Sequence, residues 1–144
     1  MSIAADPAMV RRVAAAQATL DRFKDVPFEL GVADCARLVT FHLKAMGVTT
    51  KLAKAGSYRT ALGAMRALRR LGFADLPAAL DGHGLLRVPP AGAWVGDIVA
   101  LPAEDSFGAL CIALGNGRVG GFHQDTLGAC VMQPNAFVAA WRVL

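Results

Sequence analysis

Within residues 1–87, apolar side chains recur every three or four positions, which is the spacing of amphipathic helices. The first predicted helix begins at Asp6-Pro7, an N-cap followed by a favoured first helical residue, and we expect it to pack across the outside of the core. Its apolar stripe consists of Met9, Val13, Ala16, Leu20 and Phe23. Two later helices are predicted, one between a Thr60 cap and Gly72, the other over residues 75–80.

A further helix is predicted between the first helix and the one capped by Thr60. It begins at Asp34-Cys35 and ends at Gly47. Asp34 is suited to the N-cap, because its carboxylate accepts backbone N–H groups of the first turn. Cys35 then lies where unpaired N–H groups and the positive end of the helix dipole favour a thiolate. Two interpretations follow: Cys35 is a nucleophile, or it is a small buried apolar residue at the start of a helix.

From Trp94 onward the pattern changes to that of short strands. Five strands are predicted, over residues 94–101, 109–114, 118–122, 128–132 and 139–143. Asn116-Gly117 is suited to a two-residue type I′ turn between the second and third of them. Helices followed by an antiparallel sheet indicate one α+β domain over residues 1–144, with a helical half at 1–87 and a stranded half at 93–144.

Composition limits the classes of partner. Of the 144 residues, 55% are hydrophobic and 18% charged, which predicts a globular domain with a substantial core and a face buried against partners. The net charge of +4 comes largely from arginines expected on outer helix faces, without interleaved aromatic residues, so no nucleic-acid partner is expected. These arginines include Arg11, Arg12, Arg66, Arg69 and Arg70. Neither a membrane span nor a secretion signal is predicted.

The three cysteines are far apart and form no C-x-x-C motif. We therefore expect no zinc site, no other metal and no cofactor. A bridge between Cys111 and Cys130 requires their strands to be adjacent, whereas a cytoplasmic origin favours free thiols.

Two motifs carry a resemblance to a known family. G-x-x-D-C-x-x-L-V at residues 31–39, followed by W-x-G-D-I-V at 94–99, resembles the NlpC-type papain-like peptidases, which cleave peptide stems of bacterial cell walls. A longer likeness, which includes residues 57–70 and 139–143, is to small uncharacterised proteins from phage and prophage tail gene clusters, similar to divergent relatives of that fold. The resemblance implies a papain-like (NlpC-type) fold with N-terminal helices and a small antiparallel sheet of about five strands.

The resemblance also indicates where the catalytic residues of the peptidases would lie in this sequence. In the peptidases a histidine begins the strand after the G-D-x-V strand, but here that position is Ala109, which transfers no proton. His42 lies two turns beyond Cys35, ~10 Å along the helix axis, and does not reach it. His123 lies two residues after Gly121, where the family pattern has a third polar residue, and two residues along a strand keep the same face.

A Cys35/His123 pair with Gln124 or Asp125 as partner is one interpretation; the other is that His123 caps an exposed strand end. Asp97 is expected to be a structural turn residue and His83 an exposed loop histidine. For residues 57–59, lining of a groove and packing of Tyr58 on a helix end both stay open.

Three functions follow from the resemblance. The first is a phage-type tail or tail-tip structural or assembly protein on a degenerate peptidase scaffold, which contacts other tail proteins and is located in the virion after assembly in the host cytoplasm. The second is a virion-associated cysteine endopeptidase that uses Cys35 and His123 on peptidoglycan stem peptides. The third is an assembly chaperone that binds a peptide of a neighbouring tail protein.

Overall fold

A computed structural model describes residues 7–103, 109–123 and 126–144. The helices are α1 (Pro7–Phe23), α2 (Cys35–Ala45), α3 (Ala61–Arg70) and α4 (Leu76–Gly82), with short 3₁₀ helices at Lys51–Lys54 and Pro90–Gly92. The strands are β1 (Leu86–Val88), β2 (Ile98–Leu101), β3 (Ala109–Gly115), β4 (Arg118–Phe122), β5 (Ala129–Met132) and β6 (Ala139–Arg142). The predicted α+β class is therefore confirmed, while Asp6, the expected cap of α1, lies outside the described residues.

All strand pairs are antiparallel, and the sheet order is β1-β6-β2-β3-β4-β5. The prediction of about five strands is wrong by one, because β1 begins inside the segment predicted to be helical. Its residues are exposed or half-buried. A strand of three residues at the edge of a sheet buries too little apolar surface to produce an alternating pattern.

The helices lie on one face of the sheet. Leu38 and Leu43 of α2 share a core with Leu110, Ile112 and Trp141 of the sheet. The opposite face carries a smaller cluster formed by Val99, Cys111, Ala113, Val119 and Ala140. Residues next to each other in a strand therefore belong to different cores, as the pleat requires.

The predicted stripe of α1 is correct at its C-terminal end and wrong at its start. Ala16 and Phe23 are buried, but Met9 is 39% and Val13 51% exposed. The prediction that Arg12 lies on an outer helix face is also wrong, because this side chain is buried and paired with Asp97. Because Arg12 faces the core, the buried face at the start of α1 differs from the stripe that hydrophobicity alone predicts.

Two local predictions about the second half are settled by the backbone. Asn116 and Gly117 have φ values of 56° and 75°, and a type I′ turn requires positive φ at both residues. Strand β4 separates the strands of Cys111 and Cys130, so their Cα atoms are about 9.5 Å apart, beyond the reach of a disulfide. Both thiols are free.

Among the described residues, no helix has the length and apolar character needed to cross a membrane.

Candidate active-site region around Cys35

Asp34 fixes the start of α2, as predicted. Its side chain accepts the backbone N–H groups of Gly31 and Arg37, both at 2.9 Å, and the carboxylate is fully buried. Cys35, the first residue of the helix, is only 9% exposed and belongs to the main core. The sulfur is thus at the helix N-terminus but is largely shielded from solvent.

Tyr58 closes the N-terminus of α2 from outside. Its hydroxyl donates to Asp34 Oδ2 at 2.6 Å, and the Arg37 guanidinium lies over its ring, 5.4 Å from the centroid. Burial, reinforced by the hydrogen bond to Asp34, raises the pKa of Tyr58, so the phenol keeps its proton and stays a donor. Of the two interpretations of residues 57–59, the structure supports packing of Tyr58 on the helix end.

Gly31, the glycine of the G-x-x-D-C motif, has a steric role. Its φ is +82°, and a Cβ at this position would overlap the carbonyl oxygen of Tyr58. The loop around it is held by a bridge between Glu29 and Ala33. Glycine is therefore required for the loop before Cys35 to approach the backbone at Tyr58.

His123 follows the last residue of β4 and lines an open cleft of about 510 Å³. The other lining residues, which with His123 define the Phe28 cleft, are Pro27, Phe28, Phe122, Thr126 and Leu127. Pro27 and Phe28 precede Cys35 in the same connecting segment, so the fold brings His123 to the chain that leads into α2. Cys35 itself is not among the described residues that line the cleft.

The position of His123 relative to Ala109 follows from strand register. Ile112 of β3 is opposite Gly120 of β4. The same register brings Leu110 opposite Phe122, so His123, the residue after β4, lies close to Ala109, the first residue of β3. Directly opposed residues of an antiparallel pair have Cβ atoms about 5 Å apart. His123 therefore lies near Ala109, at the same edge of the sheet.

Strand alternation is not what directs His123 to the cleft. A Cβ at Gly121 would point at Cys111, which belongs to the sheet face away from the helices. The cleft instead lies beside Phe122, whose ring contacts Phe23 of α1 on the helical side. The position of Gly121 therefore faces away from the cleft, and alternation from Gly121 does not extend to His123, because β4 ends at Phe122. Gln124 and Asp125, the expected partners of His123, lie outside the described residues.

The other two histidines have structural contacts. His42 is fully buried, its Nε2 donates to the Gly96 carbonyl at 2.7 Å, and its Nδ1 is 3.3 Å from Thr19 Oγ1. The prediction that His83 is an exposed loop residue is wrong, because it is the half-buried C-cap of α4. Its Nε2 accepts the N–H of Lys51 at 2.8 Å.

Asp97 is a structural residue, as predicted, with partners that were not anticipated. It is fully buried and forms ion pairs with Arg12 and Arg142, each at 2.8 Å. It also accepts the backbone N–H groups of Trp94 at 2.9 Å and Val143 at 3.0 Å. No local signal in the sequence marked these pairs. The W-x-G-D motif is thus a turn held by a buried ionic cluster.

Among the described residues, no three His, Cys, Asp or Glu side chains are grouped as metal ligands would be. Fold and site together define an α+β domain with a buried thiol at a helix N-terminus and a histidine-lined cleft nearby. Residues 10–143 match a family described as a domain of unknown function, DUF6950, and the chain belongs to that family. No curated protein matches the chain.

Proposed function

We propose that this chain is a phage-type tail or tail-tip structural or assembly protein, built on a degenerate papain-like scaffold of the NlpC type. It contacts other tail proteins and is located in the virion. The observation that carries the proposal is the burial of Cys35, which is 9% exposed and packed in the main core. A cysteine nucleophile has to meet its substrate, and reactive cysteines are accordingly partly exposed.

The contacts around Cys35 support the same conclusion. By the resemblance to the NlpC-type peptidases, Ala109 stands where they carry their histidine, and it begins β3 with a methyl side chain. Asp34 is fully engaged by two backbone N–H groups and the Tyr58 hydroxyl, which together stabilise the first turn of α2. In a scaffold that no longer cleaves, the Asp34-Cys35 pair keeps its role in the fold, because the cap stabilises the first turn of α2 and Cys35 packs in the main core.

The test separates structural from catalytic need in the particle. Deletion of the gene is expected to abolish complete tails in electron micrographs, while Cys35→Ser is expected to leave the titre of infectious particles within about twofold. Cys130→Ser is the matched control for thiol loss, since Cys130 is half-buried and lies in β5 rather than in α2. Normal tails without the protein would contradict the tail role, and a large loss of titre in Cys35→Ser alone would contradict the degenerate scaffold.

A second candidate function, a cysteine endopeptidase acting on peptidoglycan stem peptides, is favoured by His123. This residue lines the Phe28 cleft beside the segment that leads to Cys35. The Cys35 thiolate would attack the peptide carbonyl to form a thioester, while the C–N bond breaks and the His123 imidazolium protonates the leaving amine. The neutral His123 imidazole would then take a proton from water, whose oxygen attacks the thioester, so that the carboxylic acid product leaves and the Cys35 thiolate and the His123 imidazolium are restored.

Alkylation decides between the two functions. Iodoacetamide labelling of the folded protein, followed by mass spectrometry of each cysteine, is expected to modify Cys130 first and Cys35 only slowly at pH 6. Rapid labelling of Cys35 at pH 6 that slows at least tenfold in His123→Ala would support the peptidase and contradict the structural proposal. Release of stem peptides from cell-wall fragments by the native protein but not by Cys35→Ser would do the same.

A further inference from the structure

The distribution of charge along the chain carries an inference about what the domain binds. Residues 35–74 contain eight of the 15 lysines and arginines and none of the 11 aspartates and glutamates. Seven of these basic side chains are exposed, namely Lys44, Lys51, Lys54, Arg59, Arg66, Arg69 and Arg70. None of the seven forms an ion pair with a described residue. The positive charge of residues 35–74 is therefore not neutralised within the part of the chain that the structure describes.

The arginines of α3 are concentrated on one side of the helix. Arg66, Arg69 and Arg70 are exposed, and Leu62, one turn before Arg66, is 59% exposed. Residues three or four positions apart are neighbours on a helix surface, so Leu62 and the three arginines form one continuous surface, the α3 face. The side of the helix that meets the core consists of Ala64, Met65, Ala67 and Leu68.

Solvation of an outer helix surface explains the α3 face only in part. Arg69 and Arg70 lie in the last turn, where basic side chains offset the negative end of the helix dipole. Arg66 lies before that turn, and like charges three or four positions apart on a helix repel each other. Leu62 exposes a large apolar side chain beside these charges and is not part of the main core. A partner with carboxylates around an apolar side chain would both relieve the repulsion and cover Leu62.

We propose that the α3 face binds an acidic amphipathic segment of a neighbouring protein, whose carboxylates pair with the arginines while an apolar side chain packs on Leu62. Guanidinium groups suit this role, because they bind carboxylates through two parallel hydrogen bonds. The preference for an acidic, amphipathic partner rests on the α3 face alone. The neighbouring protein as its source rests on the proposed function.

The surroundings of the α3 face extend its positive field. Leu52 of the 3₁₀ helix at Lys51–Lys54 lines the same small cavity as Ala64 and Leu68 of α3. The two helices are thus neighbours, and the exposed lysines of the 3₁₀ helix add positive charge close to α3. Clustered charge of one sign speeds the approach of a partner of the opposite sign.

A nucleic acid fits the α3 face less well than a protein segment. Phosphate groups would pair with the arginines, but the phosphate backbone offers no apolar side chain to pack on Leu62. Single strands are held by bases stacked on aromatic rings, and the α3 face contains no aromatic side chain. Charge and the exposed leucine together therefore favour a protein segment.

The test measures the binding of fluorescein-labelled peptides to the full chain by fluorescence anisotropy. The reference probe is the acidic peptide EELLEELLEELL, and in three related probes every glutamate is replaced by glutamine, every glutamate by lysine, or every leucine by alanine. The acidic peptide is expected to bind at least about tenfold more tightly than the glutamine and lysine peptides. It should bind at least about threefold more tightly than the alanine peptide.

Two results with these probes would contradict the proposal. Equal binding of the acidic and glutamine peptides would overturn the preference for carboxylates. Equal binding of the acidic and alanine peptides would overturn the contact with Leu62.

Arg66→Glu is the variant for this surface, because Arg66 is exposed and lies within one turn of every other residue of the α3 face. It is expected to weaken binding of the acidic peptide at least about tenfold, and Arg66→Gln should weaken it less. Arg118→Glu is the matched control, since Arg118 is exposed, lies in β4, and loses the same charge. Equal affinity of Arg66→Glu and Arg118→Glu would show that net charge alone determines binding, which would overturn the site.

A short DNA duplex with the same label tests the other class of partner. It is expected to bind more weakly than the acidic peptide. A duplex that binds as tightly as the acidic peptide, and that loses affinity in Arg66→Glu, would make the α3 face a nucleic-acid site and overturn the protein partner.

The two proposals fail separately, because peptide preference is measured on the purified protein and the tail role on particles. Arg66→Glu is expected to lower the titre of infectious particles more than Arg118→Glu does. If Arg66→Glu loses peptide binding but leaves the titre unchanged, the acidic segment does not belong to a tail protein. If tails assemble normally without the protein while the peptide preference holds, only the proposed function is wrong.

Discussion

Among the described residues, two carboxylates, Asp34 and Asp97, are completely buried, and their charges are compensated in different ways. Asp97 is held by the guanidinium groups of Arg12 and Arg142, so its charge is balanced by full positive charges. Asp34 is held by two backbone N–H groups and the phenol of Tyr58, which carry only partial charges. Both arrangements provide hydrogen-bond partners for a buried anion. They differ in how far apart in the sequence the connected segments lie.

Asp97 joins parts of the chain that are distant in sequence. Arg12 reaches it from α1 across 85 residues, and Arg142 reaches it from the end of β6 across 45. Arg12 also donates to the carbonyl oxygens of Val95 and Val143, which fixes α1 to both ends of the stranded half. This cluster therefore holds the tertiary structure as a whole.

The contacts of Asp34 are mainly with residues close to it in the sequence. Two of its partners are three residues away, and only Tyr58, 24 residues away, comes from another segment. Its contacts organise the first turn of α2 and the loop before it. We infer that loss of Asp97 affects global unfolding, whereas loss of Asp34 affects the region around Cys35 first.

The largest effect is expected for Asp97→Ala. The change leaves Arg12 buried without a countercharge, and removal of one partner of a buried ion pair typically costs about 3–5 kcal/mol. Urea denaturation measures the loss. Asp21→Ala removes an exposed carboxylate whose ion pair with Lys24 spans 3.9 Å, so it should change stability by less than about 0.5 kcal/mol. Similar midpoints for the two variants would show that the ionic cluster does not hold the fold.

A smaller and more local effect is expected for Asp34→Ala, about 2 kcal/mol from loss of the cap and of the Tyr58 partner. Hydrogen exchange should accelerate most at the Arg37 amide, which donates to Asp34. Tyr58→Phe removes the phenol only, and its effect together with Asp34→Ala should be less than additive, because both changes remove one hydrogen bond. Strict additivity would mean that the two side chains stabilise α2 independently.

The difference between the two carboxylates also explains what the sequence could predict. The Asp34 cap, the Thr60 cap and the Asn116-Gly117 turn were all predictable, because each depends on residues within three or four positions. The Arg12–Asp97 pair was not, since nothing local to Arg12 distinguishes an arginine that turns inward from one on a solvated face.

The candidate site was predictable to the same degree. The helix that begins at Cys35 follows from local pattern, but the burial of Cys35 and the contact of Tyr58 with Asp34 depend on segments brought together only by the fold. The cleft at His123 arises because β4 ends at Phe122, and strand ends are poorly defined by alternation. Strand β1 was missed because it is short and exposed.

His42 connects the regions of the two buried carboxylates. It belongs to α2, which Asp34 caps, and it contacts Gly96, the residue before Asp97. Its Nε2 donates to the Gly96 carbonyl at 2.7 Å, so the imidazole is buried against the ionic cluster. Burial lowers the pKa of His42 below 6.5, Arg12 lowers it further, and hydrogen bonds to backbone carbonyls and the more weakly acting Asp97 offset part of the shift.

The direction of the pH effect follows from this lowered pKa. Above pH 6.5 the histidine is neutral in both states and its contribution is fully favourable; below 6.5 the unfolded chain takes up the proton first, so stability falls as the pH falls towards the lower folded pKa. One proton allows a slope of at most about 1.4 kcal/mol per pH unit. Urea denaturation between pH 7.5 and pH 5 is expected to show this decline, and His42→Gln should flatten it even if its absolute stability is lower. If His42→Gln keeps the full decline, another group is responsible, and the contact between α2 and the Asp97 cluster is not sensitive to protonation.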